Sequence, residues 1–164
     1  MGLVMRMAIL MAALGSSGCA LILPTPYQPY STWNGGGFTE TEVQPGLFLV
    51  RFIGNESTTP DRTADYALLR AADICLQRGK AFLRVGDLAT QNVQSGYIPG
   101  TTTTTVVPGS SPDVPPIVSV DTMAPTLLYS PQSGLAVSCA ERKQNCAWHA
   151  NYLARGIGTK YSLS

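Results

Sequence analysis

The stretch 38–79, FTETEVQPGLFLVRFIGNESTTPDRTADYALLRAADICLQRG, decides how this chain folds. Residues 38–44 change polarity at each step, and Pro45-Gly46 supplies a turn, because Pro suits its second position and Gly tolerates positive φ at its third. Residues 47–53 follow as an apolar strand broken only by Arg51, so 38–53 reads as a β-hairpin. A helix over 60–78 comes next. Thr59 can cap it, Pro60 suits its first position, Asp61 lies at the positive end of the dipole, and Gly79 stops it between Arg78 and Lys80. Ala64, Ala67, Leu68, Ala71, Ile74 and Cys75 recur at spacings of three and four, an apolar stripe that would lie on the sheet. Arg62, Asp65, Arg70, Asp73 and Gln77 are expected to face water, Asp73 meeting Arg70 or Gln77 one turn away. The class expected is α+β: a small antiparallel sheet begun by the hairpin and packed by the long helix.

Beyond it, 81–88 reads as a further strand. From 89 to 125 the chain changes character, with five consecutive threonines, six prolines and only Asp113 and Asp121 as charges. Residues 101–107 have high β propensity, and 117–120 can pair with them across 108–116. A β-ribbon is the preferred reading of this insert; an extended arm and a partly disordered excursion remain its alternatives. Residues 135–139 return as a short strand. A helix over 146–155, capped by Asn145 and ended by Gly156, closes the domain, with Trp148 and Tyr152 expected over the sheet edge.

Upstream, Arg6, an apolar run over 7–14 and Gly15-Ser16-Ser17-Gly18 lead to Cys19. Positive head, short apolar stretch and small residues before a cysteine are the order of a lipoprotein signal peptide. As a helix, 7–14 rises roughly 12 Å, far short of a hydrocarbon layer about 30 Å thick. Residues 1–18 are therefore expected to be removed and Cys19 to carry a diacylglycerol thioether and an amide-linked acyl chain such as palmitate. Two or more acyl chains hold a protein stably on a bilayer. Ser16 stands where such signals usually carry Leu, and Ala20, in place of an Asp, points to the outer rather than the inner membrane of the envelope. Residues 19–37, with Pro24, Pro26 and Pro29 before Gly35-Gly36-Gly37, read as a tether lifting a single domain, 38–161, off the membrane. Tyr27, Tyr30 and Trp33 have two places to go, the headgroup level or the domain surface.

Signal removal takes Arg6 from eleven basic residues and leaves ten against ten acidic, so the exported chain is neutral. A basic stripe for nucleic acid is absent. Of the cysteines left after Cys19, Cys139 and Cys146 enclose a six-residue loop and form the expected disulfide; a bridge using Cys75, or free thiols, are the alternatives. Cys75 itself falls on the apolar helix face.

The motifs resemble a family of small envelope lipoproteins of proteobacteria whose function is unassigned. The resemblance is carried by Thr25-Pro26-Tyr27-Gln28-Pro29, Gly36-Gly37-Phe38-Thr39-Glu40, Val50-Arg51-Phe52-Ile53-Gly54-Asn55, Tyr66-Ala67-Leu68-Leu69-Arg70-Ala71-Ala72 and Gly79, covering roughly 19–86. It implies a lipidated envelope protein and gives Arg51, Gly54, Asn55, Tyr66 and Arg70 no catalytic role. The Thr-rich insert and the Cys139, Cys146 pair depart from its pattern.

Chemistry-bearing patterns are sparse. The single histidine, His149, has no carboxylate within seven residues on either side, so no catalytic residues are assigned. Cys139, Cys146 and His149 offer thiolate and imidazole donors suited to zinc or copper but no fourth ligand, so no metal and no cofactor are expected. Neither Gly35–Gly37 nor the span from Gly96 to Gly100 joins a strand to a helix start, which leaves nucleotide binding unsupported. Arg51 is expected to pair with Glu40 or Glu42 across the hairpin. What remains is a non-enzymatic, periplasm-facing lipoprotein held to the membrane by its N-terminal lipid and contacting an envelope protein through the hairpin edge or the Thr-rich arm. The second reading is a thiol- or metal-handling protein using Cys139, Cys146 and His149.

Overall fold

The computed structural model describes residues 23–33, 35–107, 117–143 and 147–163. The hairpin forms from β1 (Gly37–Gln44) and β2 (Leu47–Ile53), paired antiparallel from Gly37 opposite Ile53 to Gln44 opposite Leu47. Gly46 sits at φ +78° in the turn, the left-handed region that its missing Cβ allows. The helix follows as α1 (Pro60–Gln77), with the Thr59 hydroxyl accepting from the Arg62 backbone N–H. Then come β3 (Phe82–Val85), β4 (Ala89–Ile98), β5 (Thr101–Val107), β6 (Ile117–Met123), β7 (Thr126–Ala140), β8 (Trp148–His149) and α2 (Ala150–Lys160). The protein is α+β, with an antiparallel sheet and, among the described residues, one long and one short helix.

β7 organises the sheet. The order is β1-β2-β7-β3-β8, and β4 also pairs with β7. Along one edge β7 takes β3 opposite 137–140 and β4 opposite 126–134; along the other it takes β2 opposite 132–138. Alternation then sorts the faces. Phe48, Val50, Phe52, Leu83, Leu135 and Val137 are buried with Tyr66, Ala67, Ala71, Ile74 and Cys75 of α1, and Ala150 and Ile157 of α2 join them. A hydroxyl chain from buried Thr63 and Ser133 to exposed Thr90 ties α1 to β7 and β4, each link 2.7 Å.

The structure corrects the disulfide. Cys139 is bonded to Cys75, not to Cys146, which lies outside the described residues. Cys139 shares the inward parity of Leu135 and Val137 on β7, and Cys75 is on the buried stripe of α1, so their Cα atoms lie 5.2 Å apart, inside the range a bridge needs. Closing a loop with a sequence separation of 64 confers about 4 kcal/mol on chain-entropy grounds, more than the short loop would.

The last helix is also displaced. Residues 148–149, expected to be helical, form β8 against Phe82 and Leu83, and α2 runs through Gly156 and Gly158 to Lys160. A helical glycine costs about 1 kcal/mol. Buried Ile157 and the grip of Lys160 and Tyr161 on Asp65 outweigh it. Asn145, the expected cap, lies outside the described residues. Trp148 does lie on the sheet edge, as part of β8, but Tyr152 is 83% exposed and covers nothing.

Candidate interaction surfaces

Much of the polar flank of α1 is a docking strip, although Gln77 faces water as expected. Asp65 accepts from Lys160 and Tyr161, Arg70 pairs with Glu40, and Arg78 with Glu42. Asp73 accepts from the Tyr27 hydroxyl and has neither Arg70 nor Gln77 as partner. Burial and the adjoining Asp73 carboxylate push the Tyr27 hydroxyl far above its ordinary pKa of 10.0. The expected Arg51 pair fails on parity. Glu40 and Glu42 stand opposite Val50 and Phe48, on the helix side of the sheet, while Arg51 stands opposite Thr39 on the open side.

Residues 23–33 and 35–38 are clasped to the body. Thr25 is 2% exposed; its N–H donates to Thr58 Oγ1 and its hydroxyl accepts from the Asn55 N–H, both at 2.9 Å. Asn55 Nδ2 donates to the Leu23 carbonyl at 2.7 Å. Pro29 bridges to Phe38 and Ser31 to Gly36. Tyr27 packs on Phe38 and Tyr66, and Arg70 lies over the Phe38 ring at 4.4 Å. Gly36 and Gly37, expected in the tether, seat the segment tightly against the body. A Cβ on Gly36 would stand 2.7 Å from the Ile53 carbonyl oxygen, and one on Gly37, at φ +131°, 2.6 Å from that of Gln28. Only glycine admits so close an approach. The segment is therefore no free stalk from residue 23 onward, although Trp33 within it stays 95% exposed. Thr25, Tyr27, Phe38, Glu40, Asn55, Tyr66 and Arg70, scattered through the resemblance motifs, meet in this one clasp.

Two surfaces lie open. On the sheet face away from α1, a groove is lined by Thr39, Thr41, Leu49, Arg51, Asp87 and Ala136. The second is an arm. β4 pairs with the first half of β7 as far as Ile98 opposite Thr126, and β5 with β6 from Thr101 opposite Met123. Two residues are passed over on each side, so the register continues and sets Pro99 opposite Pro125. Neither proline has an N–H to donate, which explains the break in the ladder there. Residues 96–107 and 117–128 thus form one twelve-residue ribbon, roughly 40 Å long at about 3.3 Å per residue. All of β5 and β6 is exposed. At its root, Glu56 accepts from Ser95, which holds its carboxyl below the usual carboxylate range.

Of the residues singled out by sequence, Cys19 and Cys146 lie outside the described residues. Cys139 is spent in the bridge to Cys75 and has no thiolate to offer a metal. His149 stacks edge-on against Phe82 at 5.1 Å, and among the described residues no group of three His, Cys, Asp or Glu side chains gathers as a ligand set. Comparison with family models, curated proteins and solved structures finds no match. Sequence reading offered the domain surface as one of two places for Tyr27 but did not foresee the rest of the clasp, and it missed β4. The one signal for the clasp was the aromatic Tyr27 beside the domain; β4, ATQNVQSGYI, has too many polar residues on both faces to alternate.

Proposed function

We propose that this chain is a lipid-anchored envelope protein, acylated at Cys19, that presents the ribbon as a non-catalytic contact surface on the periplasmic side of the outer membrane. The single observation that supports the contact role is the ribbon itself, a long two-stranded arm whose apolar residues Tyr97, Val106, Ile117, Val118, Val120 and Met123 stay exposed. Monomeric proteins rarely leave such surface uncovered. The Cys75–Cys139 bridge supports an oxidising compartment. The lipoprotein signal and the resemblance supply the address.

The clasp gives the anchor a mechanical sense. From Cys19 to Leu23 the chain reaches at most about 14 Å, and from there the segment is fixed to the body. A domain so held stays close to the bilayer, with exposed Leu23 at the point where the anchor segment joins the body. Aromatic residues such as Trp33 suit the headgroup level.

Mass spectrometry of the chain isolated from envelopes tests the anchor. A terminus at Cys19 carrying three acyl chains is expected; an unmodified terminus elsewhere contradicts it. For the contact role, a chain lacking 99–125 should keep its melting temperature and lose its cross-linked neighbours. Equal recovery of neighbours removes the arm from the reading.

A further inference from the structure

We infer that the arm pairs with the arm of a second copy of this chain, β5 against β5 about a two-fold axis. This rests on the contact role proposed above and is independent of acylation at Cys19.

An isolated two-stranded ribbon is marginally stable in water, whereas three or more strands with a buried face hold together. The arm's two edges differ in how they are protected. Proteins guard exposed edges with charges, prolines and bulges. The β4 edge carries a bulge between Gln94 and Gly96 and ends at Pro99. The β6 edge carries Asp121. β5, TTTTTVV, has neither charge, proline, glycine nor bulge over its seven residues. Among the described residues it is the longest unguarded edge of the arm, and it lies between Pro99 and Pro108, which confine pairing to that stretch.

Sequence then selects a copy of itself as occupant. An antiparallel two-fold pairing centred on Thr104 sets Thr104 opposite its own mate, Thr103 opposite Thr105, Thr102 opposite Val106 and Thr101 opposite Val107. Every pair is Thr with Thr or Thr with Val, combinations that favour cross-strand contact, and no charge is buried. The faces also match. Thr102, Thr104 and Val106 share one side of the ribbon with Val118, Val120 and Thr122, while Asp121, the only charge among the described residues of β5 and β6, is on the other. The dimer extends the Thr/Val side across four strands, β6-β5-β5-β6, with Asp121 on the outer strands at both ends. Pairing through β6 would instead draw the two Asp121 carboxylates toward each other. Isologous two-fold pairing is also the commonest way identical chains associate. The seven-residue interface is small, so association in the micromolar range is expected in solution and tighter association where copies share a membrane.

The test uses the exported chain extracted in mild detergent, with Cys146→Ser in every sample. Thr104→Cys should give a disulfide-linked dimer under mild oxidation. Val120→Cys, directly across the ribbon from Thr104 and equally exposed, should stay monomeric. Native mass measurement should show a dimer that Thr103→Lys with Thr105→Lys converts to monomer, with thermal melting of the body unchanged because both sites are exposed. A monomeric mass for the unsubstituted chain at the highest concentration reached overturns the inference. So does cross-linking of Val120→Cys as efficient as that of Thr104→Cys. Neither result touches the acyl mass at Cys19, which is read separately.

Discussion

The body and the arm obey the same strand chemistry and reach opposite outcomes. In β2 every second residue, Phe48, Val50 and Phe52, is buried beneath α1, and in β5 and β6 no residue is. Both are Val-bearing antiparallel strands. The difference is a second layer: the body has α1, a disulfide and a clasp over its sheet, and the arm has only solvent on both faces. Layering, rather than strand propensity, decides where stability resides.

Substitutions should expose that contrast first. Phe52→Ala, at a fully buried position, is expected to cost about 3–5 kcal/mol in urea unfolding, while Val118→Ala in the arm stays within roughly 0.5 kcal/mol. Similar losses at the two sites would erase the distinction. Next comes the staple. Cys75→Ala should cost about 2–5 kcal/mol, and adding Cys139→Ala should cost little more, since the loop constraint is already gone. Additive losses would mean that the two cysteines act separately.

Smaller effects report on the clasp. Tyr27→Phe removes the hydrogen bond to Asp73 and is expected to lower stability by about 1 kcal/mol. Tyr27 also sets an alkaline limit. Its folded pKa is raised above the ordinary 10.0, so folded and unfolded chains are both protonated, and stability is full, below pH 10. Above that the unfolded chain loses the proton first, and stability falls as pH rises. Unfolding measured from pH 9 to 11 should show this slope in the unsubstituted chain and a reduced one in Tyr27→Phe. The smallest effect expected is at the root of the arm, where Glu56→Gln should shift melting only slightly while speeding amide exchange around Ser95. No change in exchange there would detach Glu56 from the arm.

How much of this was legible in sequence follows the same line. The hairpin, α1 and the β5–β6 pairing were readable because each announces itself locally: a Pro-Gly turn, a capped stripe, and two β-prone runs flanking a proline-rich segment. What was lost is set by contacts distant in the chain. The short loop between Cys139 and Cys146 suggested a bridge, but inward parity on β7 aims Cys139 at Cys75. Gly156 looked like a stop, yet buried Ile157 carries α2 through it. Gly36 and Gly37 read as the end of a tether, and only their distance to Ile53 and Gln28 shows a tight seat. Arg51 was assigned by proximity across the hairpin when the face it occupies excludes both glutamates. The anchor reading comes from the opposite kind of signal, a linear motif that needs no fold.

Hydrogen exchange on the intact chain over a range of concentrations compares body and arm in one measurement. Amides of residues 135–138 in β7 should exchange only through global unfolding at every concentration. Those of 101–107 should exchange orders of magnitude faster in dilute samples and gain protection as concentration rises. An arm protected as strongly as the body at the lowest concentration would contradict the division drawn here between a layered, clasped body and an arm completed only by its partner.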